Sequence, residues 1–331
     1  MMRSKVFAPA TVANVGCGFD MYGFALHNPG DTVDLSLNER HQGLDVIHIE
    51  NNPGLLLDQS NIVSAVGNRL LMQTRETMGI DAILTKGMQI GTGMGSSAAS
   101  SAATGLAVNN LLKHPYARDS PQVVDAVIHG EAVAINDPQG HPDNVLPSLL
   151  GGFIFIYDEE NSIKRFTLDD SILFTLCSPD IVVRTEIARN ALNELPYDIN
   201  KLVQLSRQSI FSYLSTGKFQ VSEDSVRIVT NGSARQRKVR HYLQGSKDVI
   251  DGVCQNDPIT LGRGLSGDPI ITPCRSKYIK GYSNAKQASL NAGAYGVSIA
   301  GSGPTVVSVS NSPETAHKIG TAKQKAFADA G

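Results

Sequence analysis

The run GTGMGSSAASSAATGLA, from Gly91 to Ala107, constrains this chain more than any other: three glycines alternate with small residues and lead straight into an alanine-rich helical stretch. Glycine permits backbone conformations closed to other residues and a close approach to an anion. The helix that follows offers unpaired N–H groups at the positive end of its dipole. Such a loop can cradle a phosphate. A helix with a small-residue face packed tightly on a neighbour would use the same residues, so the loop alone leaves both readings open. No Gly-Lys-Ser/Thr follows, which sets the run apart from the P-loop and requires any cation to come from elsewhere.

At 331 residues, 41% hydrophobic and 18% charged, the chain has globular composition and is long enough for two domains with a sizeable core. Its formal net charge of −2 gives no electrostatic footing for nucleic acid. The one basic cluster, Arg235, Arg237, Lys238 and Arg240, reads as a solvated helix face. Cys17, Cys177, Cys254 and Cys274 are widely spaced and form no Cys-x-x-Cys, so neither a zinc site nor a disulfide framework is expected. With no signal-peptide pattern and no apolar run approaching ~18 residues, a cytoplasmic enzyme without membrane association is expected.

Strand-like segments are predicted at Lys5–Ala8, Thr32–Leu37, Leu44–Ile49 and Ile80–Thr85; in the second, Val33, Leu35 and Leu37 alternate with Asp34 and Ser36. A helix is predicted from Ser60 to Met78, with Ile62, Val66, Leu70 and Leu71 at helical spacing and Gly79 just past its end. Ser120-Pro121 opens another through Asn136, and Ser312-Pro313 repeats the device. A boundary at Gly151-Gly152 divides an N-terminal domain, 1–152, from a C-terminal domain, 153–331. The latter begins with a predicted hairpin, Phe153–Tyr157 and Ile163–Leu168, and a strand at Ile172–Cys177. Helices at Asn200–Thr216 and Ser283–Ala292 and strands at Val297–Ala300 and Thr305–Val309 complete it, whereas Glu223–Leu265 shows no readable pattern.

Four further groups carry polar chemistry. Glu131 lies in an apolar helical stretch beside His129, where a carboxylate needs a partner. Magnesium bound to nucleotide phosphates takes only one or two protein oxygens, which Ser97 and Glu131 can supply. His141-Pro142-Asp143-Asn144, and Asn14 with Asp20 in PATVANVGCGFD, are polar residues among Gly and Pro, a setting typical of turns. Thr185 and Arg189 share a face if helical, and with Arg275 they offer guanidinium groups suited to a carboxylate.

Taken in order, PATVANVGCGFD (Pro9–Asp20), GTGMGSSAAS (Gly91–Ser100) and SIAGSGPTVVSV (Ser298–Val309) resemble the three motifs of the GHMP kinase superfamily, over a stretch from Lys5 to Ala330. GHPDNV (Gly140–Val145), the Thr185/Arg189 pair and PCRSKYIKGY (Pro273–Tyr282) are similar to its homoserine kinase branch. The resemblance implies a two-domain α+β fold. The N-terminal, ATP-binding domain would contain a left-handed βαβ unit, against the usual hand; the C-terminal domain would be a ferredoxin-like α/β sandwich. It implies ATP and Mg2+ as cofactors, L-homoserine as the small-molecule substrate, a step in threonine biosynthesis, and a homodimer.

Carried over residue by residue, the resemblance gives the metal to Ser97 and Glu131. ATP falls to Gly91, Thr92, Gly93, Met94, Gly95, Ser96, Ser97 and Ser100, with Asn61 and Val63 near adenine. Asn14 and Asp20 would meet the substrate ammonium, Arg189 and Arg275 its carboxylate, and Asn144 its hydroxyl, with His141, Thr185 and Gly301 close by. Asn144, His141 and Glu131 form the catalytic set. Mevalonate-type relatives carry a catalytic aspartate where this chain offers His141 and Asn144, so no side chain is expected to act as a full general base. Ile90 and Lys280 stand where the family commonly has proline. The other readings are a GHMP kinase for a different hydroxylated metabolite and a non-catalytic relative that only binds a ligand.

Overall fold

The computed structural model describes residues 2–52, 54–183 and 185–331, with the backbone alone at Ala134, Ile135 and Thr185. The chain forms two compact units: Met1–Val12, Gly23–Ile90 and Gly95–Gly152 make the first, and Ala13–Tyr22, Gly91–Met94 and Phe153–Gly331 the second.

The first unit is built from strands β1 (Arg3–Ala13), β2 (Tyr22–Leu37), β3 (Gly43–Glu50) and β4 (Gly79–Thr85) and helices α1 (Ile62–Thr74), α2 (Ser96–Asn109), α3 (Pro121–Ile135) and α4 (Pro142–Leu150). The strand order is β3-β4-β2 with β1 on β2. β2 and β4 pair antiparallel, with Val33 opposite Leu84, Leu35 opposite Ala82 and Leu37 opposite Ile80, so the alternation in the sequence delivers one apolar face. β3 and β4 run parallel with α1 between them in the chain, a βαβ unit as the resemblance implied. The core joins Val33, Leu35, Ile80 and Leu84 of the sheet to Val66 and Leu70 of α1, Ala102 and Ala103 of α2 and Val127 of α3. The Ser120 hydroxyl caps α3 ahead of Pro121 as the sequence signals, whereas α1 is shorter than predicted: Asn61 Oδ1 accepts from the Val63 amide at its start, and a left-handed Arg75 ends it, leaving Gly79 to open β4.

Two features of this unit depart from the sequence reading. β2 starts ten residues before the strand predicted at Thr32–Leu37, runs through Asn28-Pro29-Gly30 and buries Asp31 completely. The polar run His141–Asn144 is a helix start rather than a turn: His141 occupies the cap position of α4 and Pro142 the first helical position, where a missing N–H costs nothing.

The second unit holds the hairpin β5 (Phe153–Ile156) and β6 (Ile163–Phe166), and an antiparallel sheet of order β7-β9-β8 from Leu173–Cys177, Gly296–Ile299 and Val306–Ser310, where β7 is the first of these segments, β8 the second and β9 the third. Its helices are α5 (Thr185–Asn193), α6 (Ile199–Thr216), α7 (Glu223–Val229), α8 (Ser233–Gln255), α9 (Pro258–Ser266), α10 (Ile271–Arg275), α11 (Tyr282–Asn291) and α12 (Pro313–Ala330). The stretch with no readable pattern is therefore helical. α8 and α9 pack against each other at glycines: a Cβ on Gly252 would lie 2.3 Å from the Leu261 nitrogen, and one on Gly264 2.6 Å from the Val249 nitrogen. A second core joins Val297, Ile299 and Val306 to Ile279, Tyr282 and Ile319. Both units are mixed α and β, with the smaller sheet in the second. Among the described residues no helix is long and apolar enough to cross a membrane.

Candidate active site

In the first unit the end of the glycine loop becomes the start of α2. Gly95 takes a left-handed conformation (φ 64°) at the cap position and, as a glycine, brings no side-chain cap to the first amides of α2. A Cβ at Gly95 would come within 2.2 Å of Thr11 Oγ1 and 3.0 Å of Asn144 Oδ1, so only glycine fits there. Thr11 Oγ1 in turn donates to Asn144 Oδ1 at 3.0 Å. Asn144 is thereby fixed beside the loop. Ser97, the second residue of α2, donates its hydroxyl proton to Glu131 Oε1 at 3.0 Å, and His141 Nδ1 lies 3.3 Å from the same oxygen. Three residues singled out from separate parts of the sequence thus meet at one carboxylate.

Glu131 is 1% exposed, and its second oxygen, Oε2, has no hydrogen-bond partner among the described residues. A buried carboxylate oxygen without a partner is costly. The donor set suits a divalent cation, since one carboxylate and one hydroxyl complete a magnesium site when phosphate oxygens and water provide the rest. Among the described residues no cluster of three or more His, Cys, Asp or Glu side chains could hold a metal without such help.

Beneath the loop lies a buried ion pair that sequence reasoning missed. Lys86, at the end of β4, donates to Asp31 of β2, to the Ser100 hydroxyl at 2.9 Å and to the Ser96 carbonyl at 2.9 Å. Asp31 also accepts from Ser100 at 2.6 Å and from the Gly87 amide at 3.0 Å. Burial pulls the Lys86 ammonium below its usual range, against the opposing pull of Asp31 and, more weakly, Glu131. Lys86 sits under α2 and clamps its first turn. Ser100 is 1% exposed and is engaged by this pair; Ser96 is also buried. Asn61 is held by its cap bond and by donating to the Leu56 carbonyl at 2.6 Å, and Val63 is fully buried in the core. No signal in the sequence links Asp31 to Lys86, since each reads as an ordinary strand-end charge.

The second unit contains the start of the glycine loop and the candidate amino-acid residues. Gly91 and Gly93 are left-handed (φ 79° and 78°). A Cβ on Gly93 would meet the Ala300 oxygen at 2.5 Å and the Gly303 oxygen at 2.6 Å, and the buried Thr92 accepts through its carbonyl from the Thr305 amide. Met94 completes this segment and is partly buried. Gly301, also left-handed, donates its amide to the Ala13 carbonyl at 2.9 Å.

Asn14 and Asp20 both adopt positive φ, and Asn14 Oδ1 accepts from the Asp20 amide at 3.0 Å, closing the turn between them. Two arginines converge on that turn. Arg189 of α5 approaches Asp20 Oδ1 at 3.8 Å with both side chains about one-third exposed, and Arg275 of α10 stacks over the Phe19 ring at 4.7 Å while donating to the Gly301 carbonyl at 2.9 Å. Arg207 of α6, which the sequence did not single out, donates to the Asp20 carbonyl at 2.7 Å. Thr185 is the first residue of α5, and its side chain lies outside the described residues.

Residues 61–152 match the family model for the GHMP kinases N terminal domain and residues 249–329 that for the GHMP kinases C terminal region. A homoserine kinase of Chlorobium phaeobacteroides (strain BS1) is 35% identical over 334 residues, covering 97% of this chain and 91% of its own. One from Chlorobium phaeovibrioides (strain DSM 265 / 1930) is 36% identical over 346 residues, covering 99% and 92%. The crystal structure of a homoserine kinase from Cytophaga hutchinsonii superimposes with a TM-score of 0.81 at 34% identity, covering 99% of this chain and 91% of that one. With both family models matched and such relatives aligned over nearly its whole length, the chain belongs to the homoserine kinase family of the GHMP kinases.

Proposed function

We propose that this protein transfers the γ-phosphoryl group of ATP to the side-chain hydroxyl of L-homoserine, giving O-phospho-L-homoserine. The observation that carries the reading is the Glu131 carboxylate, buried with one oxygen unpartnered and bonded to Ser97 at the start of α2. In this reading the first-turn amides of α2 and the glycine-loop backbone bind the triphosphate, and Ser97 and Glu131 hold Mg2+. When bound, the metal neutralises charge on the phosphate oxygens. His141 keeps the Glu131 carboxylate oriented. Asn144, positioned by Thr11, binds the acceptor hydroxyl. Asp20 receives the substrate ammonium, and Arg189 and Arg275 receive its carboxylate, a division that suits a zwitterion.

Phosphoryl transfer is catalysed largely by positioning and charge stabilisation, so the hydroxyl proton can pass to water without a dedicated strong base. A loss of turnover of order ~10⁴-fold in His141→Ala, with substrate binding retained, would contradict that part of the reading. Four free thiols among the described residues suit a reducing, cytoplasmic setting. A coupled assay of ATP turnover with homoserine, mevalonate, galactose and buffer tests the whole. Turnover specific to homoserine is expected; turnover with one of the other acceptors, or with none, overturns it.

A further inference from the structure

In the second unit a cavity of about 400 Å³ opens between the start of α8, the Leu195–Tyr197 segment and α10. Much of its lining is apolar, from Leu195, Pro196, Pro269, Ile270 and Pro273. Three exposed cationic residues also contribute to it. Arg235 and Lys238 lie three residues apart on α8 and so share one face, while Lys277 comes from the turn after α10. The basic cluster that reads from sequence as one solvated helix face is divided in the structure. Arg240 pairs with Glu223. Arg235, Lys238 and Lys277 form no ion pair among the described residues. Tyr197 adds a hydroxyl to the lining; burial pushes its pKa up, with Arg235 opposing, so at neutral pH it remains a hydrogen-bond donor.

We propose that this cavity binds a small organic anion, a phosphate or carboxylate carried on an apolar body. The apolar lining takes the body, and Arg235, Lys238 and Lys277 take the charge. An anion beside these three exposed cations gains charge-assisted hydrogen bonds. An apolar ligand of the same shape would gain the lining and nothing from the cations. A bare anion would gain the cations and leave the lining wet. Both parts are therefore required for binding, which distinguishes this cavity from an ordinary basic surface.

The test is calorimetric titration of the full chain with phenyl phosphate, benzyl alcohol and inorganic phosphate. Phenyl phosphate should bind at least about tenfold more tightly than either of the others, and Arg235→Glu combined with Lys238→Glu should weaken it by about tenfold or more, as expected for loss of charged hydrogen bonds. Both substituted side chains are exposed, so the variant should keep the circular dichroism spectrum of the parent. Should it not fold, Lys277→Ala, on a different element, should weaken phenyl phosphate binding measurably. Absence of binding, equal affinity for benzyl alcohol, or equal affinity in the charge variants overturns the proposal. The last outcome would place the phenyl phosphate elsewhere, for instance at the glycine loop. None of these readouts depends on kinase activity, so the proposal stands or falls separately from the proposed reaction.

Discussion

Glu131 and Asp20 are the acidic residues proposed for metal and for substrate, and each is held in its own unit in the opposite way. Glu131 is sealed in the first unit, bonded by Ser97 and His141 at 3.0 and 3.3 Å and underlain by the Lys86–Asp31 pair. Asp20 is partly exposed in the second unit, on a left-handed residue of a turn, and meets Arg189 only at 3.8 Å. Buried groups with short bonds have one arrangement. Half-exposed groups with a long ion pair can exchange partners at little cost. Glu131 is thus preorganised, whereas Asp20 and Arg189 are held loosely enough to let a substrate ammonium and carboxylate replace their mutual contact.

The contrast can be broken most forcibly at its foundation. Asp31→Ala leaves the Lys86 ammonium buried without its counter-charge and should destabilise the protein by about 3–5 kcal/mol in urea unfolding. A change below ~1 kcal/mol would mean that the clamp beneath α2 is not structural. Next in size, Glu131→Gln should lower turnover by ~10²-fold or more with an unchanged unfolding midpoint, because it removes charge with little change in volume. Turnover equal to that of the parent would remove Glu131 from the metal site.

In the second unit the pattern should invert. Arg189→Ala should leave stability within about 1 kcal/mol, as expected for an exposed pair, yet raise the KM for homoserine about tenfold or more while sparing that for ATP. An equal rise in both constants would sink the carboxylate assignment.

A further test concerns Lys323, the counterexample of a fully sealed cation in the second unit. Its Nζ donates to the Thr175 and Val306 carbonyls, and burial holds its pKa down at about 7 against an ordinary 10.5. Between these values the unfolded chain binds a proton that the folded chain does not. Stability should therefore rise with pH from 7 upward, and decline toward a lower plateau as pH falls to 7 and below. Melting temperatures at pH 6.5 and 9 should differ less in Lys323→Met than in the parent; an identical pH dependence would show that Lys323 does not titrate in this range.

Much of the first unit is legible because its signals are local. Val33, Leu35 and Leu37 alternate, Ser120-Pro121 caps a helix, and the glycine loop announces the start of α2. Asp31 and Lys86 are not legible, because an ion pair between residues 55 positions apart leaves no trace in either segment. α8 is obscured for a different reason. Its buried face includes Gly245, Ser246, Asp248 and Gly252 beside Val249 and Ile250, so residues that normally interrupt helices are there the points of close packing. Among site residues, Glu131, Ser97 and His141 stand out by type and setting. Arg207 does not, since its bonds to the Asp20 and Asp158 carbonyls depend wholly on how α6 folds back.

The compact units do not follow the order of the chain: Ala13–Tyr22 and Gly91–Met94 belong with residues 153–331. Gly93 has no room for a side chain beside the Ala300 and Gly303 oxygens, and the Thr305 amide is bonded to Thr92. Recombination between relatives at Gly152 would therefore join a C-terminal half to a foreign strand turn and a foreign glycine segment. A working chimera should need three pieces exchanged together, and a substitution at Thr92 or Gly93 should be tolerated only with a compensating change about two hundred residues away, around Ala300–Thr305.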